Sequence, residues 1–330
     1  MSGSTTWKTP LMGADWMRLF DLHCDTLSRC LETGEPLERN SGQLDLERGK
    51  GFPWIQAFAC FLDAEDRGEA ALEKFLSMRR LLLDTAGRCP GLTLWEGEEP
   101  EAGVCSALLT VEGGQALAGR LENVERFARW GVRLLTLVWN GDNELGSGAC
   151  DGMNRGLTSF GRECLRELER CGITADISHL NDQGIGDVFT LSARPVVASH
   201  SNLRSVHGHP RNLTEEQFRQ LVRQGGLCGL NYYPLFVSGE ADCGPEALRR
   251  HLERMLELGG ENCVALGSDF DGAGMPSFLR GLEGIGALYG HVAKWYGFLL
   301  ADRLFYQNAF DFFARGKAAR ALPSRSCQGD

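Results

Sequence analysis

Residues that can bind a metal ion or transfer a proton follow short apolar runs at several places along this chain. They are His23, Asp25, Glu112, His179, His200 and Asp269. Imidazole and carboxylate groups together are typical ligands of zinc, and they also suit manganese and iron. Each residue alone could be a helix cap or part of a packed core. Their repeated position after an apolar run is hard to explain in that way, so the set indicates a metal-dependent active site.

Eight apolar segments have the length and composition of buried β-strands. They are residues 17–23, 52–62, 104–112, 132–139, 172–178, 195–199, 226–231 and 263–268. Apolar residues recur at helical spacing between them, over 70–86, 121–130, 160–171, 215–224 and 245–259. This alternation predicts a parallel sheet, and a doubly wound open sheet is one possible form of it. The count of eight favours an α/β fold of the (β/α)8 TIM-barrel type, with helices from about residue 276 onward packed outside it.

In such a barrel the carboxyl ends of all the strands meet at one face, where active sites lie. We therefore expect the metal-binding candidates to converge in one pocket. In His23-Cys24-Asp25, alternation along an extended chain places the first and third side chains on the same side. Glu112 precedes two glycines, which leave room for a substrate, and its two carboxylate oxygens could bridge two metal ions.

Other candidates follow the later strands. His179 and His200 end consecutive strands in the same register, which favours metal ligands over packed core histidines. Asp269 directly follows the last strand and is expected to point into the pocket as an acid–base group, whereas Asp271 fits a turn aspartate better. Arg211 has the side chain best suited to bind a carboxylate, although its spacing alone favours a surface arginine.

Composition and charge disfavour several classes of function. The 330-residue chain has a formal net charge of −10, which argues against nucleic acid and anionic membranes as partners. The N-terminal residues lack the pattern of a signal peptide, and no stretch approaches the length of a membrane span. The twelve cysteines include no CxxC pair and are expected to be reduced thiols. We expect one cytoplasmic domain over residues 1–330.

Seven short motifs occur in an order and spacing that resemble the renal (membrane) dipeptidase family. They are DLHCDT, TVEGG, LTL, DISH, VVASHSN, HPRNLT and SDFDG, and the resemblance extends from about residue 18 to about residue 315. It is closest to the soluble bacterial members. The resemblance implies a metal-dependent (β/α)8 hydrolase with two zinc ions, for which manganese or cobalt could substitute. It also implies dipeptide substrates, including L-D dipeptides, and a homodimer.

The resemblance implies that five residues are metal ligands. His23 and Asp25 would hold one zinc ion, and His179 and His200 would hold the other. Glu112 would bridge both ions and so take part in catalysis. A hydroxide between the metals would be the nucleophile.

The resemblance also implies roles toward the substrate. Arg211 would bind the C-terminal carboxylate of a dipeptide, and Asp269 would take the proton of the attacking water and then protonate the leaving amine. Animal members have a histidine just after the LTL strand, where this chain has Trp139. Either Trp139 or Asn140 could donate a hydrogen bond to the oxyanion, so the substitution leaves the substrate range and rate open.

Two alternatives remain open. One is another metal-dependent hydrolase of the same barrel type, acting on lactones, cyclic amides or phosphoesters. The first strand lacks an HxH step, and no lysine stands at the strand end where such enzymes often bridge their metals, which disfavours this alternative mildly. The other is a non-catalytic metal-binding relative, and Trp139 is the one feature that supports it.

Overall fold

The computed structural model describes residues 17–150 and 152–318, and its centre is a closed barrel of eight parallel strands. The strands of these ranges are β1 (Leu19–Cys24), β2 (Trp54–Phe61), β3 (Leu92–Leu94), β4 (Cys105–Glu112), β5 (Leu134–Thr136), β6 (Thr174–Asp176), β7 (Val197–Ala198), β8 (Leu227–Leu230) and β9 (Val264–Leu266). All except β3 form the ring. β1 pairs with both β2 and β9, and the pairing of β2 with β4 completes the closure. β3 pairs with the first half of β4. The predicted TIM barrel is therefore confirmed.

Helices surround the barrel and connect most successive strands. They are α1 (Thr26–Thr33), α2 (Gly68–Arg88), α3 (Glu122–Arg129), α4 (Ser159–Cys171), α5 (Asp182–Leu191), α6 (Glu215–Gln224), α7 (Pro234–Val237), α8 (Pro245–Glu257), α9 (Ile285–Tyr296), α10 (Phe298–Asp302) and α11 (Asn308–Ala318). Thr158, Asn181 and Thr214 cap α4, α5 and α6, because each side chain accepts a hydrogen bond from the backbone N–H three residues later. Gly172 and Gly225 end α4 and α6 in the left-handed conformation.

Several strands are shorter than the apolar runs that predict them. β6 ends at Asp176 and β7 at Ala198, although the apolar runs continue beyond both residues. The chain leaves the strand ladder there and turns over the end of the barrel, and His179 follows β6 with a φ of 68°. β3 was not predicted from the sequence, because Thr93 and Leu94 are exposed and form no apolar run.

The barrel interior is closed at its amino end by the C-terminal part of the chain. Phe20 and Ile55 from the strands pack there with Tyr306 and Phe313. The ring centroids of Phe20 and Phe313 are 5.6 Å apart, and the rings are stacked. The C-terminal helices were predicted to pack outside the barrel, and α9 does so against α8. The segment that follows α10 instead covers the opening at the amino end of the barrel. The polar pocket lies at the opposite end, where the strands have their carboxyl ends.

Within the two described ranges no helix is long and apolar enough to cross a membrane. The cysteines of the same ranges form no disulfide with one another. The prediction of one domain concerns residues 1–330, including termini that lie outside the described residues, and it stays a prediction.

Candidate active site

The carboxyl ends of the barrel strands bring the metal-binding candidates together. His23 lies near the end of β1, and Glu112 is the last residue of β4. His179, His200 and Asp269 follow β6, β7 and β9 within three residues. All five side chains are buried. Ligand atoms of His23, Glu112 and His200 lie within 4.8 Å of one another, so residues far apart in sequence share one small volume.

The two carboxylate oxygens of Glu112 face different groups of side chains. Oε1 lies 3.0 Å from Nε2 of His179 and 3.5 Å from Nε2 of His200. Oε2 lies 3.4 Å from Nε2 of His23. Burial raises the pKa of the Glu112 carboxyl, and the His23 imidazole opposes that rise. A carboxylate held in this way can offer one oxygen to each of two neighbouring cations.

The hydrogen bonds around His179 and His200 fix which ring nitrogen carries the proton. Ser199 Oγ donates to Oδ2 of Asp176 at 2.6 Å, so it must accept the bond from Nδ1–H of His200 at 2.8 Å. Asn140 Oδ1 likewise accepts from Nδ1–H of His179 at 3.3 Å. Burial lowers the pKa of both imidazoles well below the ordinary value. Two unprotonated Nε2 atoms therefore face each other at 2.9 Å, an arrangement that a cation between them would stabilise.

A second set of ligand atoms, from His23, Asp25 and Asp269, also lies within 4.8 Å. Asp25 lies at the start of α1 rather than in an extended strand, and its Oδ2 is 3.3 Å from Nε2 of His23. Its buried Oδ1 has no hydrogen-bond partner among the described residues. Burial lowers the pKa of His23, but the carboxylates of Glu112 and Asp25 outweigh that effect and raise it well above the ordinary value.

The backbone is strained at two of the candidate residues. His179 and Asp269 have φ values of 68° and 64°, in the left-handed region that residues other than glycine rarely adopt.

Asn231, which follows β8, donates a hydrogen bond from Nδ2 to Oδ2 of Asp269 at 3.0 Å. A Cβ atom at Gly272 would clash with Oδ2 of Asp25 and Oδ1 of Asp269, so the glycine allows the loop to approach the site.

Two buried aspartates that were not predicted from the sequence support the site. Asp176 in β6 accepts hydrogen bonds at 2.6 Å from the hydroxyls of Thr136 and Ser199. Asp21 in β1 accepts a bond at 2.8 Å from the backbone N–H of Ser268. An aspartate inside an apolar strand was the available signal, because a buried carboxylate needs hydrogen-bond donors around it. These bonds link neighbouring strands directly below the metal-binding candidates.

Arg211 lies behind the wall of the site. Its side chain is buried, and the guanidinium carbon is 5.4 Å from the ring centroid of Phe236. Nη2 donates to the backbone oxygen of His200 at 3.4 Å, and Nε has no partner among the described residues. Burial lowers the pKa of Arg211, and the carboxylates of Asp269 and Glu112 oppose that effect. A buried cation with an unused donor is suited to bind an anionic group.

A cavity of about 470 Å³ opens over the metal-binding candidates. Its wall includes Phe61, Trp139, Asn140, His209, Tyr233, Leu235 and Phe236. Trp139 packs edge-on against Phe61 with ring centroids 4.9 Å apart. Asn140 faces both the cavity and His179, and the contact with His179 was not predicted from the sequence. The site thus combines polar ligands at its base with largely aromatic walls.

The groups at the base fit two divalent cations. The Nε2 atoms of two neutral imidazoles, His179 and His200, and Oε1 of Glu112 lie within 3.5 Å of one another. The other oxygen of Glu112, His23 and the unsatisfied oxygen of Asp25 lie beside them. Neutral imidazole and carboxylate together are the donor set that zinc prefers in catalytic sites.

Two solved structures are similar to this chain over most of its length. A metallo peptidase from Rhodobacter sphaeroides, solved with a phosphinate mimic of the dipeptide L-Ala-D-Ala, matches with a TM-score of 0.84 and 28% identity, over 92% of this chain and 100% of that chain. A dipeptidase described as a metallo peptidase of family M19 matches with a TM-score of 0.83 and 30% identity, over 91% of this chain and 99% of that chain.

Comparisons with curated sequences point the same way. An uncharacterized protein from the pqqA 5′ region of Klebsiella pneumoniae is 30% identical over 216 residues, which are 62% of this chain and 80% of that protein. An uncharacterized dipeptidase of Schizosaccharomyces pombe is 31% identical over 184 residues, 54% of this chain and 44% of that protein, so the match spans less than half of the yeast protein.

The family model of the membrane dipeptidases matches residues 14–294. Because that match covers most of the sequence, the chain belongs to the membrane dipeptidase family, peptidase family M19, of metal-dependent hydrolases.

Proposed function

We propose that this protein is a two-zinc dipeptidase that hydrolyses the peptide bond of dipeptides, including L-D dipeptides. The observation that carries the proposal is the position of Glu112, whose two oxygens face His179 and His200 on one side and His23 on the other. The relative from Rhodobacter sphaeroides, which was solved with a mimic of L-Ala-D-Ala, supports a dipeptide substrate.

Five residues would hold the metal ions. His23 and Asp25 would bind one ion, His179 and His200 the other, and Glu112 both. When bound, two zinc ions would supply a hydroxide nucleophile near neutral pH and polarise the scissile carbonyl. Manganese or cobalt could replace zinc in the same ligand set.

Asp269 would act as the acid–base group. Its Oδ1 lies 3.9 Å from Nε2 of His23, and its Oδ2 is held by Asn231. Burial raises the pKa of the Asp269 carboxyl, and the His23 imidazole opposes that rise. A buried carboxyl of raised pKa can take a proton from the attacking water and return it to the leaving amine.

Arg211 and the cavity wall would select the substrate. The guanidinium of Arg211, which has an unused Nε donor, would bind the C-terminal carboxylate. A clamp so close to the metal ligands leaves room for one residue after the scissile bond, and this restricts the substrate to dipeptides. The indole N–H of Trp139 would donate to the oxyanion. Asn140 would contact the substrate as well, but its contact with His179 points mainly to a role in orienting that ring.

Removal of the substrate carboxylate tests this assignment. We expect the zinc-loaded protein to cleave L-Ala-L-Ala and L-Ala-D-Ala and to lose about 100-fold in kcat/KM when the C-terminal carboxylate is replaced by an amide. Arg211→Ala should erase most of that difference, and Arg211→Lys, which keeps the charge, should retain part of it. Intact dipeptide turnover by Arg211→Ala would overturn the role of this residue.

Two further features belong to the proposal. We infer a homodimer from the family resemblance and a cytoplasmic location from the resemblance to the soluble bacterial members. Light scattering of the purified protein would measure its mass in solution. Fractionation of its native cells would test its location.

A further inference from the structure

One face of α1 extends from the metal-binding candidates to the mouth of the cavity. Asp25, Ser28, Arg29 and Glu32 all line the cavity. The last three follow Asp25 by three, four and seven residues, and this spacing places all four on one side of a helix. Seven residues of α-helix span about 10 Å, so Glu32 lies about that far from Asp25 along the axis. The face therefore connects the reactive centre with a carboxylate at the entrance.

The charges along this face are not equally compensated. Arg29 Nη1 lies 2.7 Å from Oε2 of Glu35, and its Nε lies 3.8 Å from Oδ1 of Asp271. Two carboxylates thus already neutralise Arg29. Glu32 is exposed and forms no hydrogen bond or ion pair in the part of the chain that the structure describes. This side of the entrance therefore carries net negative charge, with the Glu32 carboxylate available to a ligand.

Part of the cavity wall is apolar or aromatic. Phe61, Trp139, Tyr233 and Leu235 line it. Leu235 is 40% exposed, which is unusual for a leucine that packs in a core. A side chain with an apolar stem and a cationic end fits such a surface, because the stem can cover aromatic rings while the charge reaches a carboxylate.

The positions of Arg211 and α1 around the barrel set the direction of the substrate. Arg211 belongs to the loop after β7, and α1 follows β1. These two strands are three places apart in a ring of eight, so the two groups lie nearly opposite each other. A dipeptide with its carboxylate on Arg211 therefore directs its N-terminal residue toward α1. A lysine or arginine side chain extends roughly 6 Å from its Cα, so on the N-terminal residue it directs its charge along the side of the cavity that α1 lines.

We propose that Glu32 makes this site prefer dipeptides with lysine or arginine as the N-terminal residue. Glu32 acts as a specificity residue, which binds the cationic end of that side chain at the cavity entrance. The inference rests on the proposed dipeptidase function and adds a substrate class to it.

The test compares three dipeptides that differ in one side chain: L-Lys-L-Ala, L-norleucyl-L-Ala and L-Glu-L-Ala. Norleucine has the apolar stem of lysine without its charge. We expect the metal-loaded protein to prefer lysine over norleucine by about two- to fivefold in kcat/KM, the range of an exposed ion pair, and to disfavour glutamate. Glu32→Gln should bring the lysine-to-norleucine ratio close to one, and Glu32→Lys should shift the preference toward glutamate.

Glu122→Gln is the matched control, because Glu122 is an exposed glutamate at the start of α3 and lies outside the cavity. It should keep the wild-type ratio. Cleavage of norleucyl-alanine with the same lysine-to-norleucine ratio in the wild type and in Glu32→Gln would overturn the role of Glu32 and leave the dipeptidase proposal intact. Failure to cleave any dipeptide would overturn both.

Discussion

Asn231 donates a hydrogen bond from its Nδ2 to Oδ2 of Asp269, over a distance of 3.0 Å. The two residues follow neighbouring strands, β8 and β9, and both are buried. The Asn231 amide also accepts a bond at 2.7 Å from the backbone N–H of Tyr233 through its Oδ1, which fixes the orientation of the amide. Asn231 therefore holds one oxygen of Asp269 and leaves the other, Oδ1, toward His23.

Replacement of Asn231 should change the pH dependence of activity. The amide donor stabilises the ionised form of Asp269, so it opposes the rise that burial causes in the pKa of that carboxyl. In Asn231→Ala we expect this pKa to rise further. Because the ionised carboxylate must accept the proton, the acidic limb of kcat/KM should move to higher pH. A profile that is merely scaled down without moving would show that Asn231 has a structural role alone.

Gly272 should not tolerate a side chain. A Cβ atom there would clash with Asp25 and Asp269, whereas a Cβ atom at Gly274 would meet only Cε2 of Tyr233, at 3.7 Å. Gly272→Ala should therefore lower metal affinity and activity by at least about tenfold, the effect expected when groups around metal ligands are displaced. Gly274→Ala is the matched control and should behave like the wild type. Equal loss in both variants would contradict this explanation.

Ser199 should contribute to metal affinity without touching the metal. Its hydroxyl accepts a hydrogen bond from Nδ1–H of His200 and donates one to Oδ2 of Asp176, which keeps the proton of His200 on Nδ1 and leaves Nε2 unprotonated. Ser199→Ala removes this link, and we expect a loss of about 10- to 100-fold in metal affinity, measured by competition with a chelator. Ser77→Ala, which removes an exposed hydroxyl on α2, serves as the control. Unchanged affinity in Ser199→Ala would contradict the proposed tautomer.

His251 should make stability depend on pH. Its Nδ1 accepts from the backbone N–H of Leu203 at 3.2 Å, and its Nε2 donates to the backbone oxygen of Val237 at 2.9 Å. Burial lowers the pKa of His251 from 6.5 to about 4. Between these values the unfolded chain binds a proton that the folded chain does not. The free energy of unfolding should therefore be greatest above pH 6.5 and fall by about 3 kcal/mol as the pH drops to 4.

The variant His251→Gln isolates this contribution. Glutamine can accept and donate at the same two backbone groups, but it does not titrate. Denaturant unfolding at pH 7 and at pH 4.5 should show a smaller pH dependence in the variant than in the wild type. The same pH dependence in both proteins would show that other groups determine it.

The sequence predicted where the site residues lie better than it predicted how they are held. Apolar runs ending in His23, Glu112 and His200 indicate strand ends, and barrel geometry then brings those ends to one face. The hydrogen bonds between Ser199 and Asp176 could not be predicted, because they depend on side-chain directions in two different strands. The pattern and spacing of apolar residues predict which face of the barrel a residue occupies. They do not predict its hydrogen-bond partners.

The burial of the charged residues could not be predicted from the sequence either. The spacing around Arg211 favours a surface arginine, but the loop after β7 folds back so that its guanidinium lies under Phe236. Asn140 was expected to contact the substrate, and its contact with His179 depends on a turn that the sequence does not define. The closure of the barrel by Phe313 could not be predicted either, because an apolar helix face does not identify the surface that it covers.

The dipeptidase activity itself is tested by hydrolysis of L-Ala-L-Ala and L-Ala-D-Ala by the zinc-loaded protein, by a chelator-treated sample and by zinc-loaded Asp269→Asn. Metal analysis and circular dichroism would verify that the variant is folded and binds two ions. We expect turnover that is lost on chelation and falls at least about 100-fold in Asp269→Asn. Turnover that survives chelation or the loss of Asp269, or no turnover in a folded protein with two metal ions, would contradict the proposed function.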